Sequence, residues 1–259
     1  MKKIFQYIGL VGICLFSFYY TEKIALYVKM KNPLMKEINS IKDDMYVNSI
    51  DSTLINDIYI IPGLNGKEVD IDKSFVNMKE DNVLNINQLV YSPVTPKVSL
   101  EDHKERIIIR GNENKNCVSL IFEEDNDLAK YMYQEGYVIN LLINKENYNT
   151  NYELINNSTI ASVYNNIEKY LNKNNINKKL CYVKENNEVS KLCQNKYLFK
   201  SSLTINHSNL GVNKKRIKSG EIILIEKSLS LSELTILLDQ INYQSLKIVP
   251  LSTLISEEN

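Results

Sequence analysis

A chain of 259 residues with 44% apolar residues can build one sizeable core plus extra segments, so disorder throughout is excluded. Lys and Arg number 31 and Asp and Glu 31, which leaves no net positive field for a phosphate backbone and argues against nucleic acid as the partner. Only two histidines, His103 and His207, are present, so schemes that need three imidazoles are excluded at once. The 34 Asn against three Ala read as a genomic compositional bias and not as a function.

The chain opens with Lys2 and Lys3 and then an uncharged run over residues 4–20. As a helix that run spans about 25 Å, close to the hydrocarbon thickness of a bilayer, with Tyr19 and Tyr20 placed at an interface. No small-x-small cleavage pattern follows it, so residues 1–23 are expected to be an uncleaved membrane anchor. The two leading lysines predict a cytoplasmic N-terminus, which makes this a single-pass cell-membrane protein with the bulk of the chain extracytoplasmic.

Residues 24–46 keep apolar positions at three-to-four spacing, and Asn32 before Pro33 reads as an N-cap with proline at the first helical position. A helical stalk with a break near residue 32 is expected. The first 46 residues hold seven basic and four acidic side chains, so the remainder holds 24 and 27, a balance of minus three. Outside the cytoplasm thiols can pair, and Cys181 with Cys193 is the candidate disulfide, the alternative being two unpaired, partly buried thiols.

Residues 47–103 read as a small β-rich segment with a PGLNG turn cluster at 62–66 and two proline-flanked apolar runs. From about residue 104 strands and helices alternate. RIIIRGN at 106–112 and CVSLIF at 117–122 are neighbouring strands, and Asp125 or Asn126 caps a helix carrying Leu128, Tyr131 and Met132, stopped at Gly136. YVINLLI at 137–143 is a strand, and Ile160, Val163, Tyr164, Ile167, Tyr170 and Leu171 fit a helix. KLCYV at 179–183, YLFKSSLTI at 197–205 and EIILIE at 221–226 are further strands. Asn187 caps a helix through Leu192, residues 213–218 form a short basic helix, and Leu231, Leu234, Leu237, Leu238 and Ile241 form an amphipathic one before KIVPL. The pattern predicts an α/β domain with parallel strands over residues 104–259.

In such folds ligands bind at the carboxyl ends of the strands. The side chains expected there are Glu123, Glu124 and Asp125, then residues 144–146, Lys184 and Glu185, residues 206–208, and Glu226.

The ordered segments resemble the polysaccharide deacetylase family, the nodulation-protein-B homology domain. VSLIFEED at 118–125 is similar to its opening strand, which ends in Thr-Phe-Asp-Asp, and LAKYMYQEGYVINLLIN at 128–144 to the helix, glycine and strand that follow. SGEIILIEKSLSLSELTILLDQINYQSLKIVPLSTLI at 219–255 is similar to the closing strand, helix and strand, which read Ser-Gly-x-Ile-Ile-Leu-x-His. The resemblance covers about 150 residues and implies a (β/α) barrel.

It also implies a divalent metal such as zinc, held by one carboxylate and two histidines four apart, with a second carboxylate as base and a histidine as general acid. The two acids of the opening motif fall on Glu123 and Glu124. The histidine pair falls in NYELINNSTIAS at 151–162, which has no histidine or cysteine, and the closing histidine position holds Glu226. The Arg-Pro-Pro strand is replaced by LCYV, and His207 lies after a different strand.

The resemblance therefore implies a degenerate member without the family's metal or other cofactor, binding cell-wall glycan or an envelope protein. The alternative is an active deacetylase whose carboxylates Glu123, Glu124 and Glu226 rebuild an acid–base site. His207 is a weak metal candidate beside the plainer reading of a surface loop histidine, and a solvated acidic turn that caps a helix is the plainer reading of residues 123–125.

Overall fold

The computed structural model describes residues 11–17, 19–21, 23, 31–123, 127–143, 159–163, 180–183, 193 and 196–258. Its elements, in chain order, are α1 (Pro33–Ile41), β1 (Thr53–Ile55), β2 (Tyr59–Ile61), β3 (Gly66–Val69), α2 (Ile71–Met78), β4 (Tyr91–Val94), β5 (Ile107–Ile108), β6 (Cys117–Glu123) and α3 (Asp127–Gln134). They continue with β7 (Asn140–Ile143), β8 (Thr159–Val163), β9 (Leu180–Tyr182), β10 (Tyr197–Phe199), β11 (Leu203–Ile205), α4 (Leu210–Asn213), β12 (Ile222–Ile225), α5 (Leu231–Tyr243), β13 (Lys247–Ile248) and α6 (Leu251–Ile255).

The chain divides into two compact units, one of residues 1–48 and 66–94, the other of residues 49–65 and 95–259. The strands of residues 47–103 are thus shared between them. In the first unit, Asn32 caps α1 by accepting from Leu34 N at 2.9 Å, with Pro33 at the first helical position. Leu34, Met35 and Ile38 on that helix are buried, and Leu34 and Ile38 pack with Val69, Met78 and Leu89. The segment expected as a stalk therefore contributes a helix to a core, and a fragment starting at residue 47 would remove three buried side chains. Asp70 caps α2, accepting from Lys73 N at 2.9 Å, and β3 pairs antiparallel with β4. This helix after a short strand was not expected from sequence, although Ile71, Phe75 and Met78 stand at helical spacing behind the Asp70 cap.

Among the described residues no helix is long and apolar enough to cross a membrane, and of residues 4–20 the structure describes 11–17, 19 and 20.

The second unit holds two sheets. One runs β1-β2-β5-β10-β9, with the β1–β2 hairpin antiparallel and every other pair parallel. The other runs β11-β12-β6-β7-β8, all parallel, with β13 also parallel on the first two residues of β6. The expected α/β class with parallel strands is observed. The expected closed (β/α) barrel is not: the described pairings form two separate sheets. YLFKSSLTI, read as one strand, is two. Lys200 N still donates to Ile108 O of the first sheet, whereas Ser202 N donates to Ile222 O of the second, so the chain changes sheet within three residues.

A second correction concerns Ile160 and Val163. They were expected on a helix, yet Thr159–Val163 pairs with β7 as β8, with a register shift between Leu141 and Leu142. Short apolar runs fit both periods, and the open edge of β7 decides between them. The helix expected to start at Asn187 lies outside the described residues, apart from Cys193. The basic helix expected at 213–218 is observed one turn earlier as α4, followed by a 3-10 turn over Lys214–Arg216.

β6 is buried throughout except at Glu123, as the central strand of a sheet covered on both faces must be. Its alternate residues face two cores. Val118, Leu120 and Phe122 pack with α3 and α5 through Met132, Leu234, Leu237 and Ile241. Cys117 and Ile121 face Ile60, Ile108, Phe199 and Leu254.

On this second face sits a fully buried polar network. Asn140 Nδ2 donates to Ser119 Oγ and to Leu120 O, both at 2.8 Å, and Asn140 Oδ1 accepts from Leu251 N at 2.8 Å. Ser119 Oγ in turn donates to Val249 O at 2.9 Å. Gly220, with φ +87°, lies against Gly111, whose N donates to Gly220 O at 2.7 Å; a Cβ on Gly220 would stand 2.4 Å from Gly111 O. At the end of α6, Lys115 Nζ donates to Thr253 O and Ser256 O at 2.7 and 2.6 Å, capping the helix's carbonyls, and burial lowers its pKa. Cys181 and Cys193, twelve positions apart, form a disulfide that packs with Ile107, Val183 and Leu198.

Replacing Asn140 by Ala leaves the buried Leu251 N without a partner and opens a polar hole between β6 and α6. The variant is expected to lose about 3 kcal/mol of stability. Urea denaturation followed by far-UV circular dichroism checks this, since the chain has no tryptophan to report on.

Candidate functional site

Parallel strands β11, β12, β6 and β7 end at one edge, and their last residues line it. Ile205 stands opposite Ile225, and Ile225 opposite Phe122, so Asn206, Glu226 and Glu123 follow at matching heights on three adjacent strands. Period-two alternation puts all three on the face of Ile121, Ile222 and Leu224, the face that packs toward the first sheet. Glu123 and Glu226 are half-buried.

The side chain of Asn206 is fixed by its own loop. Its Oδ1 accepts from Asn209 N at 3.0 Å and from Ser208 Oγ at 2.8 Å, while its backbone N donates to Asn209 Oδ1 at 2.9 Å. This reciprocal Asn-x-x-Asn turn leaves Nδ2 aimed at Glu226 Oε2, to which it donates at 3.0 Å. The Glu226 carboxylate, at the position where the resemblance expects a histidine, is thus held by a neutral amide donor. Asn209 and this pairing were not singled out from sequence, although the Asn-x-x-Asn spacing carries the signal.

His207, the weak metal candidate, points elsewhere. Its side chain is 75% exposed, and Nδ1 lies 2.6 Å from Glu233 Oε1. Glu233 belongs to a capping box at the start of α5: Ser230 N and Ser230 Oγ donate to Glu233 Oε2 at 2.9 and 2.7 Å. The sequence Ser-x-x-Glu before an apolar run announces that box, which the sequence reading did not use. Hydrogen bonds from Ser230 first, and then from His207, hold the Glu233 carboxyl below the usual carboxylate range. His207 therefore joins the loop after β11 to the first turn of α5.

Glu124 and Asp125 lie outside the described residues, as do residues 144–146, Lys184 and Glu185. The other histidine, His103, sits in the 3-10 turn Glu101–His103 before β5, with Nδ1 3.8 Å from Glu105.

Among the described residues the donors on this edge do not assemble the ligand set that the family resemblance implies. Glu226 is engaged by an amide, the His207 ring is engaged by Glu233, and among the described residues no three His, Cys, Asp or Glu converge on a common point. What Glu123, Glu226 and Asn206 offer together is a row of hydroxyl acceptors with one amide.

A cavity of about 390 Å³ lies at the opposite ends of the strands, where β9 and β10 begin. Leu100, Leu180 and Ile255 form its apolar wall. There Tyr197 OH donates to Glu101 Oε2 at 2.7 Å, and burial, with the Glu101 carboxylate, pushes the phenol up to about 12. Glu257 Oε1 accepts from Ser52 Oγ, Leu100 N and Gly63 N at 2.8, 2.8 and 3.3 Å, tying three loops to the C-terminal segment.

The second unit thus has a deacetylase-like α/β architecture, with Glu123, Asn206 and Glu226 at the carboxyl ends of parallel strands. The chain is similar in structure to the wild-type CE4-family pseudoenzyme BA3943 of Bacillus anthracis, with a TM-score of 0.58 over 87% of this chain and 96% of that one at 18% identity. A mutant of the same pseudoenzyme, described as having restored enzymatic activity, superposes equally, covering 99% of that chain. At 18% identity the likeness is one of fold. No protein-family model matches the chain. In sequence, 91 residues are 32% identical to the uncharacterized protein YlxY of Bacillus subtilis (strain 168), and they span 28% of that protein.

Two measurements check this site. Titration of zinc, cobalt or nickel into the full-length protein in detergent is expected to show no stoichiometric site of micromolar or tighter affinity. A site that Glu123→Gln abolishes would reinstate the family's scheme. Because the folded-state pKa of Glu233 is depressed, its stabilising effect is present above the ordinary carboxylate pKa and is lost as pH falls through the folded value. The loss of thermal stability on acidification toward pH ~3.5 is expected to be smaller in Glu233→Gln than in the unaltered chain, read by circular dichroism melts.

Proposed function

We propose that this chain is a membrane-tethered, extracytoplasmic pseudoenzyme that uses a deacetylase-like fold to hold cell-envelope glycan or an envelope protein without turning it over. The observation that carries the reading is Glu226, held by Asn206 Nδ2 at 3.0 Å where the family's general-acid histidine would stand. A side chain there that accepts from an amide differs from the imidazole the family sets against a leaving amine, and its oxygens are good acceptors for sugar hydroxyls. The fold shared with BA3943, itself described as a pseudoenzyme, supports the reading.

The run at residues 4–20 supplies the tether, and the leading Lys2 and Lys3 supply its orientation. The disulfide between Cys181 and Cys193 agrees with a location where thiols oxidise.

The test uses full-length protein in nanodiscs and purified N-acetylated envelope polysaccharide. Expected is retention of the polysaccharide, weakened about tenfold or more in the Glu123→Gln, Glu226→Gln double variant, with no acetate released. Acetate release that Glu123→Gln or Glu124→Gln abolishes would overturn the proposal in favour of a hydrolase.

A further inference from the structure

The zero net charge of the whole chain conceals a local excess. Residues 206–220 contain Lys214, Lys215, Arg216 and Lys218 and no Asp or Glu, in an exported region whose balance is minus three. Lys215, Arg216 and Lys218 are exposed and Lys214 is half-buried. Several cations elsewhere sit beside acids, Lys73 with Asp70, Lys104 with Glu101 and Lys130 with Asp127 among them. In the basic turn, Arg216 Nη1 reaches only Asn213 Oδ1 at 3.4 Å, and none of the four has an acidic partner among the described residues.

The turn is held rigidly. Leu210 and Ile217 on either side of it are buried against Leu229, Leu234 and Leu238. Asn209 Nδ2 and Asn213 Nδ2 both donate to Thr204 O, at 3.1 and 2.9 Å, pinning α4 to the end of β11. Four like charges within five residues repel one another, so the folded backbone keeps them together at a cost that an anionic partner would relieve. Preorganisation of the turn lowers the entropic cost of meeting that partner.

We propose that the basic turn at residues 214–218 docks a polyanion with a phosphate backbone and no bases. Residues 206–220 contain no aromatic side chain, so they have neither a stacking platform for bases nor an interfacial anchor for a bilayer. Recognition therefore rests on Lys and Arg with phosphate oxygens, the guanidinium of Arg216 supplying a bidentate fork. The site lies apart from Glu123, Asn206 and Glu226 in its chemistry and does not depend on what they bind.

The experiment uses the full-length protein in phosphatidylcholine nanodiscs, with long-chain inorganic polyphosphate as the probe. Binding is expected, falling about 20-fold between 50 and 200 mM salt if three contacts form at a slope of about −0.7 each. The Lys215→Gln, Arg216→Gln, Lys218→Gln triple variant is expected to lose at least tenfold in affinity with an unchanged melting curve, whereas Lys79→Gln with Lys97→Gln changes nothing. Equal binding by the triple variant overturns the proposal. So does tighter binding to single-stranded DNA of matched charge, or a response confined to phosphatidylglycerol vesicles. Polysaccharide retention by the triple variant stays as in the unaltered chain, which separates failure here from failure of the glycan-binding reading.

Discussion

A carboxamide buried between strands must place two donors and an acceptor, and an unmet one costs free energy on the scale of a whole folding margin. Asn140 places all three. Its amide nitrogen reaches Ser119 and Leu120 of β6, and its oxygen takes the backbone N–H of Leu251 at the start of α6. One side chain thereby fixes three things: the register of β7 on β6, the path of the chain after β13 through Ser119 and Val249, and the docking of the last helix. An apolar residue there would bury as well but would not choose among registers.

The height at which the strands end follows from that register. With Ile121 opposite Asn140 and Phe122 opposite Ile225, Glu123 and Glu226 emerge together at the carboxyl edge, and Asn206 joins them one strand further on. The opposite edge is closed by close backbone approach. Gly111 and Gly220 touch through a 2.7 Å hydrogen bond, and the C-terminal segment is tied down by Glu257 and Lys115. A rigid floor and a polar rim are what a fold can retain when its chemistry changes, since packing constrains the floor and only function constrains the rim.

Electrostatics separates the two surfaces that we propose face a partner. The rim presents carboxylates moderated by an amide, suited to hydroxyl donors. The turn after α4 presents unpaired cations, suited to phosphate. A zero net charge could not reveal this division, because it averages an acidic rim, an acidic C-terminal segment and a basic turn.

Much of the fold was legible from residues alone. The β-branched run of β6, the helix stop at Gly136, the Asn32–Pro33 cap and the leucine spacing of α5 are local signals, each read within a few residues. So was the absence of two histidines four apart, which the positions of His103 and His207 settle. What tertiary structure decided were the non-local choices. Thr159–Val163 became a strand because β7 offers an open edge, YLFKSSLTI was divided because two sheets compete for it, and α1 joined a core because Val69 and Met78 cover its apolar face. Whether His207 faces the rim or the capping box of α5 was likewise invisible in the sequence. The sequence alone determined which chemical groups exist and which local turns they favour; the fold determined which of them meet, because hydrogen-bond partners and sheet edges are supplied by residues a hundred positions away.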